Sequence, residues 1–429
     1  MTILTATALT DNEKMPTCQN TAQVAARVME RTSGEAAPAA SIYDRLFPYH
    51  VELCALSELR KKPGFGAPLR SGMGGHALLY LHGVQLDPTA GYPVLRLCDP
   101  GTAPGADCGV GISVNAHYRN ANWVAVQGRE FLWRGALAPG ERLTRAAYHR
   151  TQDEAKARDI LAGVEFHPEL FRAKPAGMSA RDYMYEISVA TDYAAQFGRS
   201  HYRACLPLDR ARMGAIVDYL NALNQPYRAG VKTYRWKLFN DNCMHVARNA
   251  LAAAGIWAPW PAGQSVLLAA FHFPVPKNGF VDLIRRANHL PIEDPQALYE
   301  DAAARNALLT HGALPTGPGG LALAGGAIAG NDIYDVARLR LIFFDNPIFG
   351  PYRFHFRSIF ASPHYTDLGE NLRHFSARFE AARLAGMRAR GRGKRFTGVR
   401  ALFQEKYEAH IARQGDDIRR MLEQLGDEA

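Results

Sequence analysis

Cys243 lies in the run Lys237-Leu-Phe-Asn-Asp-Asn-Cys-Met-His-Val-Ala-Arg-Asn-Ala-Leu251, where a short aromatic, strand-like stretch meets a helical pattern. Val246, Ala250, Leu251 and Ala254 recur at helical spacing until Gly255 supplies a stop. Asp241 or Asn242 can cap the helix by accepting its first free N–H groups. The thiol therefore stands at a helix N-terminus, where aligned peptide dipoles favour thiolate over thiol. That makes Cys243 a candidate nucleophile with a lowered pKa. A small cysteine packing a strand–helix junction is the competing reading, and a matching base decides between them.

His76 is the best base. It stands in Ser71-Gly-Met-Gly-Gly-His-Ala-Leu-Leu-Tyr-Leu-His-Gly83, at the start of an apolar run that reads as a buried strand behind a glycine-rich entry. His82, beside a glycine turn, fits a satisfied core histidine better. A third group should fix the imidazole tautomer. If Gly75–Leu81 and Pro93–Asp99 are antiparallel neighbours, Asp99 faces His76, and Asn115 and His117 are the fallback orienters. Asp99-Pro-Gly101 is an equally good turn signal.

On these residues the chain resembles the papain-like superfamily in its circularly permuted form, where the histidine strand precedes the cysteine helix. Gly-His76-Ala-Leu-Leu-Tyr is similar to the histidine strand of permuted NlpC-like and lecithin:retinol-acyltransferase-like proteins, and Asn242-Cys243-Met-His to their Asn-Cys helix start. In layout the chain is closest to the Lnb N-terminal periplasmic domain family, with Tyr49–Leu56 as the opening strand and Tyr234-Arg-Trp236 before Asn242-Cys243. The resemblance covers roughly residues 45 to 262. It implies an α+β core, and a cysteine amidase, peptidase or thiol-dependent acyltransferase working through an acyl-enzyme on an acyl- or amide-containing substrate. No cofactor or metal is called for. Unlike in the periplasmic relatives, no secretion signal or lipobox is expected at its start. No motif matches the third catalytic residue.

With 429 residues, nearly half of them apolar, the chain can bury a full core and form two or three units. The first ten residues carry no basic n-region, so the expectation is synthesis into the cytoplasm without a Sec signal, export by another route staying open. The apolar stretch Leu321–Gly330 is too short and glycine-rich to span a bilayer. Six cysteines without a Cys-x-x-Cys pair predict free thiols. Cys98, Asp99, Cys108 and His117 match no usual zinc spacing. The glycines of Gly317–Gly325 lack the flanks of a phosphate loop and read as a flexible loop.

Four segments are expected: a disordered tail over residues 1–41, with one short helix around Thr21–Arg31; a catalytic core over 42–262; a helical extension with a Gly/Ala-rich loop over 263–332; and a basic, mostly helical region over 333–429. Strands are expected at Tyr49–Leu56, Gly75–Leu81, Pro93–Leu97, Val110–Val114, Asn122–Val126, Glu130–Trp133 and Tyr202–Pro207. Helices are expected at Arg210–Asn224, Gly279–Asn288 and Asp294–Asn306, and the aromatics of Ile342–Arg357 read as packing residues. The formal charge of +9 concentrates in the acid-free run Arg383–Arg400. Arg388, Arg390, Arg392, Lys394 and Arg395 could dock on an anionic membrane, and nucleic acid is less favoured because no base-reading motif accompanies them. A binding or effector protein docking through this region is the alternative to an enzyme.

Overall fold

The structure, a computed structural model, describes residues 42–66, 74–99, 108–238, 241–261, 275–345, 350–391 and 397–426. The expected tail and its short helix lie outside the described residues. Six strands, β1 (His50–Leu56), β2 (His76–His82), β5 (Gly109–Ser113), β6 (Val124–Gln127), β7 (His201–Pro207) and β8 (Leu321–Gly325), form one antiparallel sheet in the order β6-β5-β2-β1-β7-β8. A separate ribbon pairs β3 (Val84–Leu86) with β4 (Leu95–Leu97). With the helices this is a mixed α+β architecture.

Every residue of β1 and β2 is buried, so these strands read as continuous apolar runs rather than alternating ones. Helices on both faces cause this. Leu53 pairs with Leu79, and this face is covered by α5 (Cys243–Ala253) and α6 (Pro276–His289): a Cβ added at Gly279 would strike Met244 of α5 and touch Leu53. Glu52 pairs with Tyr80 on the opposite face, where α1 (Arg129–Arg134) lays the Arg129 guanidinium over the Tyr80 ring, 4.2 Å from its centroid. Leu132 of α1 fills the space that only the side-chain-free Gly111 leaves on β5.

Beside this body α2 (Arg145–Ala157) and α3 (Ala180–Ser188) are capped by Thr144 and Ser179, and α4 (Arg210–Arg228) by Asp209. The helix expected at Asp294–Asn306 is two, α7 (Pro295–Glu300) and α8 (Ala302–His311). Asp301 leaves the helical conformation and caps the second by accepting from the Ala304 amide. After α9 (Tyr352–Ala361), α10 (Leu368–Gly391) and α11 (Gly398–Gly426) form an antiparallel hairpin. With α7 and α8 they bury a second core around Leu298, Leu308, Phe375, Phe379, Phe403, Tyr407 and Ile411.

Four further expectations fail on physical grounds. Pro93–Asp99 does not pair with β2, because β2 is already flanked by β1 and β5 and β4 folds back on β3. Glu130–Trp133 is helical: Gly128, at φ 90°, ends the strand, and Phe131, Leu132 and Trp133 are all buried around one turn. The Gly/Ala run contains edge strand β8, whose small residues suit close approach; a Cβ on Gly325 would collide with the His201 ring. Cys98 and Cys108 are joined in a disulfide. The ends of β4 and β5 converge on Gly83, which donates to the Cys108 carbonyl at 3.1 Å and accepts from the Cys98 amide at 2.9 Å. Cys54, Cys205 and Cys243 are free and buried.

Candidate active site

Just before Cys243 the Lys237 and Asp241 backbones exchange hydrogen bonds of 2.9 and 3.1 Å. Asn242, not Asp241, is the cap. Its Oδ1 accepts from the Met244 and His245 amides at 2.9 and 3.2 Å, while its Nδ2 donates to the Leu238 carbonyl at 2.6 Å. These bonds set the first turn of α5 and leave Cys243 only 9% exposed. The sulfur lies against the backbone amide of Ala77, the residue after His76. Helix start and strand start therefore meet, although Cys243 and His76 are far apart in sequence.

The thiol pKa departs from the expectation. Burial raises it, and the Ala77, Met244 and Cys243 amides together with the Arg199 charge pull it down without overcoming that. At rest the sulfur is a thiol. His76, 8% exposed, is pushed down to about 3 by burial and by Arg199, so its imidazole is neutral.

The imidazole is oriented by groups other than Asp99. Ser113 donates to Asp192 Oδ1 at 2.7 Å, so its oxygen accepts from His76 Nε2–H, 3.2 Å away, and Nδ1 is left as the basic nitrogen. Asn115, the fallback orienter, donates to both Asp192 oxygens at 3.2 Å and accepts from the His117 amide at 2.9 Å. His117 contributes its backbone here, and its ring packs near Phe166. Asp192 is fully buried. Its turn is pinned by a 2.8 Å bond from its amide to the Ser188 carbonyl and contains two alanines at positive φ, Ala190 (59°) and Ala194 (51°). Side chains held there are strained, a cost of about 1–3 kcal/mol each that the surrounding fold sustains.

Asp99 sits at the other end of β2, next to the disulfide, and lines an open cavity of about 700 Å³ with Arg96, Arg158 and Asp159. Asp192 gives no sequence signal beyond a turn-forming Thr-Asp pair between a helix and an aromatic. Ser113 and Asn115 sit two residues apart in one strand and its extension, a spacing that puts them on one face. Among the described residues no hydrogen bond joins Cys243 to His76. By strand parity the ring belongs to the face of Leu78 and Tyr80, opposite the one α5 covers.

One group could in principle ligate a metal: Asp44, His50 and His82 offer donor atoms within 4.8 Å of one another. Arg129 stands among them, with Nη2 3.2 Å from His50 Nε2 and 3.4 Å from Asp44 Oδ1 and a further ion pair to Glu52. The guanidinium already takes the lone pairs a metal would use, and its charge would repel one. His82 is buried, but neither of its ring nitrogens has a hydrogen-bond partner; it stacks on His50 with centroids 4.5 Å apart.

No protein-family model, curated protein or solved structure matches this chain. Among the described residues no helix is long and apolar enough to cross a membrane. Side chains of the basic stretch at Arg388, Arg390, Arg392, Lys394 and Arg395 lie outside the described residues, while Arg383 pairs with Glu380 and Arg400 stacks over Tyr299, 5.2 Å from its centroid.

Proposed function

We propose that the protein is a cysteine-nucleophile hydrolase or acyltransferase on a permuted papain-like core. The observation that carries this is the meeting of the Asn242-capped Cys243 with the first residues of β2, where His76 is hydrogen-bonded through Ser113 to the buried Asp192. Cys243 attacks an acyl carbon as His76 Nδ1 takes its proton, the S–C bond forms, and the same proton passes to the leaving group as the acyl–heteroatom bond breaks. Water or an amine then removes the acyl group. A neutral thiol and a neutral imidazole suit proton transfer on substrate arrival rather than a standing ion pair. The ring reaches the sulfur only by leaving its Ser113 bond and turning about the strand start when substrate arrives, a larger movement than the tightening of an apo hydrogen bond. Docking of the basic stretch on an anionic membrane would bring such an enzyme to acyl chains.

The missing Cys243–His76 hydrogen bond favours a second reading, a binding or effector protein on the same fold. An acyl-mimicking electrophile decides between them. Labelling of Cys243 that falls at least tenfold in His76→Ala supports the enzyme; equal labelling of Cys243, Cys54 and Cys205, indifferent to His76, rejects it.

A further inference from the structure

Arg199 is the most deeply buried cation of the sheet's Cys243 end, at 1% exposure, and among the described residues no carboxylate forms an ion pair with it. It is held by carbonyls. Nε donates to Ala190 at 2.8 Å and Nη1 to Ser57 at 2.5 Å. Ser57 follows Leu56, the residue paired with His76, and Ala190 is the strained residue two before Asp192. One planar side chain thus ties the turn that carries Asp192 to the strand end beside His76. A guanidinium can bridge two carbonyls in this way because its donors are fixed in a fork.

Its charge is not spent on those carbonyls. It acts on Cys243, on Asp192, on the Tyr334 hydroxyl and on His76. The other titratable groups facing Cys243 are Tyr234 and, through it, Asp241; His245 on the same helix bonds the cap Asn242 at 3.0 Å. None of these supplies a second cation to the thiol. A buried positive charge normally finds a carboxylate or is lost.

We propose that Arg199 is a positioning residue of the Cys243–His76 site, tying the Asp192 turn to the strand end beside His76 and placing its charge at that end of the sheet. The proposal rests on the reading of Cys243 and His76 as nucleophile and base. Its test uses the free thiol without substrate, so its outcome stands apart from whether an acyl-enzyme forms.

The rate of Cys243 alkylation by iodoacetamide at pH 8, followed by mass spectrometry on the full chain, is compared between wild type, Arg199→Lys and Arg199→Met. Arg199 is the weakest of the groups that pull the thiol pKa down, so the Met variant should react more slowly by a few fold rather than by orders of magnitude. The Lys variant, which keeps the charge, should recover most of the rate. A purely structural role predicts the reverse, because a loosened site lets water in, relieves the burial that holds the thiol up, and speeds alkylation. An unchanged or faster rate in Arg199→Met overturns the proposal, as does a Lys variant no better than Met. If the Met variant does not fold, Arg199→Gln, which keeps a donor for the Ser57 carbonyl, carries the same comparison.

Discussion

The two ends of the β1–β2 pair carry similar residue types and opposite chemistry. At one end His50 pairs with His82, beside Asp44, Glu52 and Arg129; at the other Leu56 pairs with His76, near Asp192 and Arg199. The first end is compensated. Burial would raise the Glu52 pKa, but Arg129 and Arg203 outweigh it and hold the carboxyl well below its ordinary range. At the second end the arginine has no carboxylate partner among the described residues, the acid is tied to a serine, and a thiol sits alongside. Residue inventory does not distinguish a site from a structural ion network; the balance of charge within each cluster does.

The comparison breaks most sharply at Arg129. Replacing it with Met leaves Glu52 buried with Arg203 and His50 as its remaining partners and should cost about 3–5 kcal/mol of stability, read by denaturant unfolding. The variant's residual folded protein should still label at Cys243. A loss below about 1 kcal/mol would show that the first end is not the structural one.

Asp192→Asn probes the second end. It keeps the shape but removes the charge and turns one of the two acceptor oxygens into a donor facing Ser113 and Asn115, which loosens the network that fixes the His76 tautomer. Labelling of Cys243 by an acyl-mimicking probe should fall on the order of a hundredfold, with little change in thermal midpoint. Equal labelling would detach Asp192 from the site.

Acid should act on both ends, and on the second core, through buried histidines. His76, His82, His201 and His410 are all pushed down to about 3, chiefly by burial. Each stays neutral in the folded chain while its unfolded counterpart gains a proton below its ordinary pKa of about 6.5. The stability these groups contribute is therefore complete above that pH and is lost as pH falls from about 6.5 towards 3, by about 1.4 kcal/mol per pH unit for each group. His82→Phe should reduce that slope by one group's share in pH-dependent urea unfolding, since this ring has no hydrogen bond to lose. An unaltered slope would mean that His82 is already charged beside Asp44.

The smallest effect is expected at Asp99. Asp99→Asn should change Cys243 labelling less than twofold, because the residue lies by the disulfide at the far end of β2; a larger loss would reinstate it as the orienter.

The elements that local pattern determines were legible. The buried strands at His50–Leu56 and His76–His82, the Asn-capped helix at Cys243 and the Asp209-capped helix all follow from runs, spacings and caps visible in the chain. Asp99 faces His76 only if neighbouring segments of the sequence pair, whereas β2's neighbours are a strand before it and one after the 98–108 connection. Asp192 and Arg199 stayed hidden because their meaning depends on a buried turn and two carbonyls, and no period or motif encodes those. The lowered thiol pKa was inferred from the helix end alone; it omitted desolvation, a quantity that only packing reveals.

Strand β8 has a consequence for how the chain is made. Residues 321–325 close one edge of β7, and α6, from residue 276 onward, lies over Leu53. A nascent chain has therefore emitted five strands of its sheet long before the sixth arrives, with the backbone of β7 open along one side. Bare strand edges are templates for mispairing between chains. Synthesis that stalls between β7 and β8 should yield aggregates rather than a smaller folded unit. Ribosome-bound chains arrested before and after residue 325 should differ in their demand for chaperones.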